Sequence, residues 1–565
     1  MNTNSSLARI AYFSMEIAVD PKIPSYAGGL GVLAGDTLRS AADLGLPMVG
    51  VTLAYRSGYF KQSFDGEGRQ IEARDPIPEA ALKPLPFRVT VDIESRRVTV
   101  RARVYDIGAE YKIPVLFLDT DCPENTPADR VLCDSLYGGD HADRLKQEIV
   151  LGVGGVRMLR AAGFSRIKCY HLNEGHAALL TAELLREEIQ GSETGMYERS
   201  LLESVRRRCV FTTHTPIAAG HDRFDRAMVR AIVGDSLPLT TEIHVKDEHI
   251  DLTQSAIRSS RAVNAVSARH AEVCRSMFAD VEIKSITNGV HHATWIAPPM
   301  AELFNRVCPG WRADPQCLRL ALRAQSADFS AARAACKLRM CEFVARSAGA
   351  RLSPDVFTIG VARRATGYKR LDLILRNPDH IAAIAARWGG LHIVFAGKAH
   401  PRDATGHEVI ERLNRFARHG CGEVKIAMIP DYDISSAAML VSGCDLWVNT
   451  PIAPLEASGT SGMKAALNGV PSLSVADGWW PEGCIEGLTG WSIPARQDDA
   501  QARDDADAAS LYATLDRSIL PLYIQDRDQW TRIGMHAVAL NGTYFNTHRM
   551  VREYSERMYA EALRG

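Results

Sequence analysis

VFTIGVARR (residues 356–364), LHIVFAGKAH (391–400), EVKIAMIP (423–430), DLWVNTP (445–451) and PSLSVADG (471–478) decide the fold. Each is a short run rich in Val, Ile, Leu or Phe that ends in a polar or glycine-containing turn, and helical stretches separate the first four. The pattern predicts four strands alternating with helices, a doubly wound α/β domain built on a largely parallel sheet. Ligands of such sheets gather outside the carboxyl ends of the strands, so the turns after these runs are where chemistry is expected.

The first half of the chain follows the same scheme. RIAYFSME (9–16), LPMVGVTLAYR (46–56), RVTVRARVYDI (97–107) and IPVLFLDTD (113–121) precede the helical RLKQEIVLGVGGVRMLRAA (144–162). KCYHLNEGHAALLTAELL (168–185), CVFTTHTP (209–216) and KSITNGVHHATW (284–295) each run from a strand pattern into a polar turn. Between Trp295 and Pro354 the pattern turns helical and reads as a bridge between two lobes. The expected division is residues 1–294 for an N-terminal Rossmann-like domain, 295–535 for a C-terminal one, and 536–565 for a terminal helix packing back on the first. A chain of 565 residues exceeds what one hydrophobic core usually supports, which agrees with two domains. The Asp- and Ala-rich stretch near residues 494–515 reads as a solvated loop leading into a helix.

Composition narrows the function classes. Lys and Arg total 66 against 67 Asp and Glu, so there is no global field for nucleic acid or an anionic membrane, and any anion site is local. No apolar stretch approaches the length needed to span a bilayer, and the start lacks a secretory pattern; a cytoplasmic location is the expectation. The 12 cysteines lack CxxC spacing and read as reduced core residues.

The sharpest local signal is GTSGMKAALNG (459–469). Gly459, Thr460, Ser461 and Gly462 let backbone N–H groups approach an anion just before a helix-forming run that contains Lys464. By spacing alone Lys464 is a phosphate counter-charge, a Schiff-base partner or a solvated surface lysine. Gly28, Gly29 and Gly31 in YAGGLGVLAGD (26–36) suit either a bare anion-facing loop or a tight strand-to-helix turn. RRATGYKR sets Arg363, Arg364, Lys369 and Arg370 just beyond a strand end, where a ligand crevice and a solvated basic turn are both open readings. His214 is a site residue or a hydrogen-bonded strand-end histidine. Glu174 and His176 suit a metal, acid–base work or a polar turn, and no metal is assigned to them.

Taken together, NTPIAPLEASGTSGMKAALNG (449–469), YFSMEIA, YAGGLGVLAGD, YHLNEGHAAL, FTTHTP, TNGVHHATW, GVARRATGYKR and FAGKAHPRD occur in an order that resembles the α-glucan phosphorylases of glycogen, starch and maltodextrin. The resemblance is strongest to the shorter bacterial and archaeal type. It implies a glycosyltransferase-B architecture, two doubly wound lobes facing a cleft. It implies retaining phosphorolysis of the non-reducing end of an α-glucan by inorganic phosphate, giving glucose 1-phosphate. Lys464 then carries pyridoxal 5′-phosphate as an aldimine, with Arg363, Gly459, Thr460, Ser461 and Tyr432 around the cofactor. Arg364 and Lys369 hold the substrate phosphate. Gly28, Gly29, Leu30, His214, Asn288, Glu456, Ala457, Ser458 and Gly459 surround the glucosyl unit. For Glu174 and His176 the preferred reading is a role in shaping the glucan end of the site. Arg363 stands where many animal and plant members carry Lys, and Ala18 stands where another aromatic cofactor contact aligns. The resemblance leaves homo-oligomer formation open and leads us to expect no N-terminal regulatory extension and no allosteric control. The rivals are a retaining nucleotide-sugar-dependent glucan synthase, which has no cofactor lysine, and a non-catalytic glucan-binding homologue.

Overall fold

The computed structural model describes residues 7–217, 220–239, 245–246, 248–496 and 498–564. The C-terminal sheet holds six parallel strands, Thr358–Ala362, Leu391–Ala396, Val424–Ile429, Leu446–Asn449, Ser472–Val475 and Gly490–Ile493. Numbered along the chain, they lie in the order 3-2-1-4-5-6, the doubly wound order that reverses between its first and fourth strands. TIGVA and LHIVFA are buried throughout, as expected of strands covered by helices on both faces. The sheet has two strands more than the expected four. SLSV was visible as an apolar run, whereas GWSI is four residues long and opens on a glycine. A Cβ at Gly490 would come within 2.2 Å of the Ser472 carbonyl oxygen, so the residue that obscures this strand in the sequence is also the one its close pairing requires.

The N-terminal sheet has nine strands. Seven run parallel, in spatial order Ile283–Ser285, Ala262–Ala265, Cys209–Thr212, Cys169–Asn173, Ile10–Ser14, Met48–Leu53 and Ile113–Asp119. RVTVRARVYDI departs from the parallel scheme: Arg96–Ile107 pairs antiparallel with both Ile113–Asp119 and Lys83–Ile93. Its alternation of apolar and charged residues suits a ribbon with one wet face. Glu94 and Ser95, both at positive φ, form the two-residue turn that such a hairpin favours.

This sheet reverses order between Ile10–Ser14 and Cys169–Asn173. Both reversal points open on one cavity lined by residues of the two lobes. Two further connections join the lobes. The hairpin Lys61–Phe64/Gln70–Ala73 reaches from the N-terminal half onto Gly397, Ala399 and Asp431. The terminal helix Thr547–Tyr554 returns to pack beside the helix Gly29–Asp43, burying Met550, Val551 and Tyr554 in the N-terminal core. Tyr559 closes that contact through a 2.6 Å hydrogen bond with His171. We propose 1–294, 295–535 and 536–565 as the working division of the chain. All 12 cysteines are free, and no helix is long and apolar enough to cross a membrane among the described residues.

Candidate active site

The strand Thr358–Ala362 delivers Arg363 and Arg364 directly to the reversal point. Arg363 is buried and donates from Nη2 to the Val448 carbonyl at 2.8 Å and to Asn449 Oδ1, while its Nε has no hydrogen-bond partner among the described residues. Burial draws its guanidinium down to about 10. Arg364 stays exposed along the cavity wall. It lies beneath the glycine loop, since a Cβ at Gly28 would sit 3.4 Å from Arg364 Cδ. Lys369 pairs with Glu456 Oε2. Arg370 parts from this group: it binds the Thr450 and Pro451 carbonyls and pairs with Asp504 and Asp507. The basic cluster therefore divides, with Arg363, Arg364 and Lys369 lining the cavity and Arg370 fastening the 450–451 turn to the helix Ala500–Thr514.

The fourth strand of this sheet leads into the loop that carries Glu456, Ala457, Ser458, Gly459 and Thr460, all lining the cavity. Asp477 Oδ2 accepts from the Glu456 N–H at 2.9 Å, and burial raises the Asp477 carboxyl to about 6. Gly459, at φ +80°, makes the bend before the helix Ser461–Leu467. Ser461 Oγ accepts from Trp447 Nε1 at 3.0 Å. One turn on, Lys464 is 7% exposed and its Nζ sits 4.1 Å from the centre of the Trp295 ring. Burial pulls this amine down to about 8 from 10.5, opposed by the charge of the Asp36 carboxylate. Lys464 has no ion-pair partner among the described residues, so burial dominates.

From the opposite lobe, Glu16 braces the glycine loop. Its Oε2 accepts from the N–H groups of Ala27 (2.6 Å) and Gly28 (3.3 Å), and its Oε1 accepts from the Tyr137 hydroxyl at 2.6 Å. Gly28, Gly29 and Leu30 line the cavity beside His214, Asn288 and Tyr432. His214 is held twice: its N–H donates to Glu174 Oε2 at 2.8 Å, and its Nε2 lies 2.7 Å from Asn173 Oδ1. Because that oxygen is an acceptor, Nε2 carries the proton. Burial lowers this imidazole to about 4, so it is neutral at pH 7. Glu174 also accepts from the Gly175 N–H and the Thr215 hydroxyl, so it is committed to the loop that carries His214. His176 pairs with Asp222, and neither Glu174 nor His176 is among the cavity-lining residues. Ala18 is buried beneath the helix Gly29–Asp43, where its carbonyl accepts from Arg39.

Three buried polar atoms of cavity-lining residues have no partner among the described residues: Arg363 Nε, Asn288 Oδ1 and Ser458 Oγ. Buried polar groups are normally satisfied, so these atoms suit a polar ligand. Arg363 Nε and Ser458 Oγ can donate to an anion and the Lys464 amine can meet a carbonyl, while Asn288 Oδ1, an acceptor, suits a hydroxyl. The family description carbohydrate phosphorylase matches residues 237–480. The chain is 37% identical to the glycogen phosphorylase of Mycobacterium tuberculosis over 98% of its own length and 71% of the relative's. It is 36% identical to the maltodextrin phosphorylase of Thermococcus litoralis with the same coverages. A protein of Methanocaldococcus jannaschii of uncharacterized function is 30% identical over 97% of this chain and 99% of the relative.

The chain belongs to the carbohydrate phosphorylase family.

Several features of this phosphorylase cavity lie inside the motifs that carried the resemblance yet do not follow from spacing. Trp295 ends TNGVHHATW and lies beneath Lys464. Glu16 sits in YFSMEIA behind the glycine loop. Lys398 in FAGKAHPRD lines the cavity while pairing with Asp431 at 2.7 Å and donating to the Phe60 carbonyl. Each depends on a contact between distant segments, which one-dimensional spacing cannot reveal.

Proposed function

We propose that this chain is an α-1,4-glucan phosphorylase, a glycosyltransferase that cleaves the non-reducing end of an α-glucan with inorganic phosphate and releases α-D-glucose 1-phosphate. The observation that carries the reading is a buried lysine amine that burial draws down to about 8 despite the charge of Asp36, set in the same cavity as Arg364 and Lys369. Membership of a family with glycogen- and maltodextrin-named relatives supports the substrate class.

Lys464 is the residue that would hold pyridoxal 5′-phosphate, with Arg363, Gly459, Thr460, Ser461 and Tyr432 around it. Lowering the amine to about 8 leaves roughly a tenth of it neutral at pH 7, where an exposed lysine would be almost wholly protonated. When bound, the cofactor supplies a phosphate group able to exchange a proton beside the substrate phosphate. Glycosidic cleavage creates an oxocarbenium-like centre and gives a pyridine ring no carbanion to stabilise. Arg364 and Lys369 offset the charge of inorganic phosphate. The glycosidic C1–O bond breaks, an oxygen of the inorganic phosphate bonds C1 on the same face, and the departing glucan oxygen takes the proton that this phosphate gives up. His214, neutral and fixed by Asn173 and Glu174, offers polarity without a competing charge. Gly28, Gly29, Leu30, Asn288, Glu456, Ala457, Ser458 and Gly459 surround the sugar.

The test is glucose 1-phosphate release from glycogen, starch and maltodextrins after reconstitution with the cofactor, with and without inorganic phosphate. Phosphate-dependent release is expected. Transfer from a nucleotide sugar with no phosphorolysis would replace this reading by the glucan-synthase one.

A further inference from the structure

We propose that Asp43, His291 and His548 form a binding site for a zinc-type divalent transition-metal ion, at the end of the helix Gly29–Asp43 remote from the glycine loop. Asp43 Oδ2 lies 2.8 Å from His291 Nε2 and 3.1 Å from His548 Nε2. All three atoms are within 4.8 Å of one another. A tetrahedral ion with bonds of about 2.0–2.1 Å separates neighbouring ligand atoms by about 3.4 Å, so the side chains need shift only slightly. Two imidazoles and one carboxylate suit zinc and its neighbours; magnesium and calcium take oxygen ligands.

The surroundings fit a bound ion. Both histidines are buried, at 6% and 1% exposure, while the Asp43 side chain is 36% exposed and leaves an approach from solvent. His291 Nδ1 lies 2.6 Å from Thr294 Oγ1, a contact that would keep the proton on Nδ1 and the Nε2 lone pair on the metal. The other candidate cluster, Glu148, His176 and Asp222, is already countered by Arg144, which pairs with both carboxylates.

The site lies outside the reacting cavity, and its role would be to hold parts together. Asp43 and His291 are 248 residues apart, and Asp43 and His548 are 505 apart. An ion would join the glycine-loop helix, the segment bearing Trp295 and the C-terminal helix at one point. Asp36, on the same helix as Asp43, already accepts from the His291 N–H and from Trp295 Nε1.

Full-length protein stripped with a chelator and kept free of phosphate is titrated with Co²⁺, and Zn²⁺ is then used to displace it. The expected result is one Co²⁺ per chain with the absorption of a tetrahedral site, and a higher thermal midpoint with Zn²⁺. Asp43→Asn and His548→Gln should each weaken binding by roughly a hundredfold or more, and Thr294→Val by about 10–100-fold, the range for removal of an outer-shell partner. His176→Gln should leave the titration unchanged. If His548→Gln does not fold, Asp43→Asn decides by itself, because it changes a partly exposed carboxylate to a near isostere. Absence of the tetrahedral spectrum, or its persistence in Asp43→Asn, overturns the proposal.

Discussion

Lys464 shows how one buried contact sets chemistry. Its amine titrates near 8 because burial penalises the charged form. The folded value lies below the ordinary one, so the neutral amine, the form able to attack a carbonyl, accumulates as pH rises towards 8. Capture of added pyridoxal phosphate by the apoprotein should therefore speed up about tenfold per unit below that point and level off above it. Stopped-flow absorbance across pH 6–10 reads this directly, and a rate still climbing steeply at pH 10 would mean an ordinary lysine. At the phosphate side, Arg364→Ala and Lys369→Ala should each remove roughly 1.5–3 kcal/mol, the scale of a charge-assisted hydrogen bond. That is about 10–150-fold in kcat/KM for phosphate. Equal phosphate kinetics in wild type and both variants would take these cations out of the site. The lysine and the basic turn were legible in sequence because each occupies a local pattern. The departure of Arg370 was not, because its acidic partners lie more than 130 residues away.

Among the elements, the glycine loop makes two neighbouring positions distinguishable. A Cβ at Gly31 would meet Tyr26 Cβ at 2.6 Å and Glu16 Oε2 at 2.8 Å, whereas one at Gly29 would meet no protein atom within 4 Å. Gly31→Ala should therefore displace the brace that Glu16 gives the loop, costing about 1–3 kcal/mol as other overpacking changes do. Gly29→Ala should leave the thermal midpoint unchanged and raise KM, because the added methyl can obstruct only the ligand. Thermal unfolding alongside steady-state kinetics separates the two, and a stability loss in Gly29→Ala would contradict the open space seen there. Strand runs such as TIGVA and LHIVFA were readable because burial on both faces leaves a continuous apolar signature. AVNA (262–265) and GWSI (490–493) carry no such signature because small or polar side chains interrupt their apolar residues.

At the scale of the whole molecule, both doubly wound lobes were foreseeable from alternating strands and helices, but the way they clasp each other was not. KQSF and QIEA carry no apolar alternation, since the residues their hairpin buries are Gln62 and Gln70, held by polar contacts across the lobes. Gln62 Nε2 donates to the Gly397 carbonyl at 2.9 Å and its Oε1 accepts from the Asp431 N–H at 2.9 Å. Gln70 makes the matching pair with the N–H and carbonyl of Ala399. Between them Lys398 joins Asp431 and the Phe60 carbonyl while lining the cavity. A hairpin that bonds the far lobe on both sides of a cavity residue should help keep the cleft closed. Gln62→Ala strands the Asp431 N–H and the Gly397 carbonyl, at a cost of about 1–3 kcal/mol for a buried group left unpaired. Each lobe has an apolar cluster of its own besides the one that joins Ala18, Val32 and Val290 to the C-terminal lobe, and Gln62 belongs to none of them, so that cost should fall on the closed arrangement more than on folding. KM for phosphate and for glucan should then rise together, approaching about tenfold for each 1.4 kcal/mol once the open state predominates. The radius of gyration in solution scattering should grow and the thermal midpoint should hardly move. A fall in the midpoint with both KM values unchanged would make the hairpin part of the fold's stability and no part of closure.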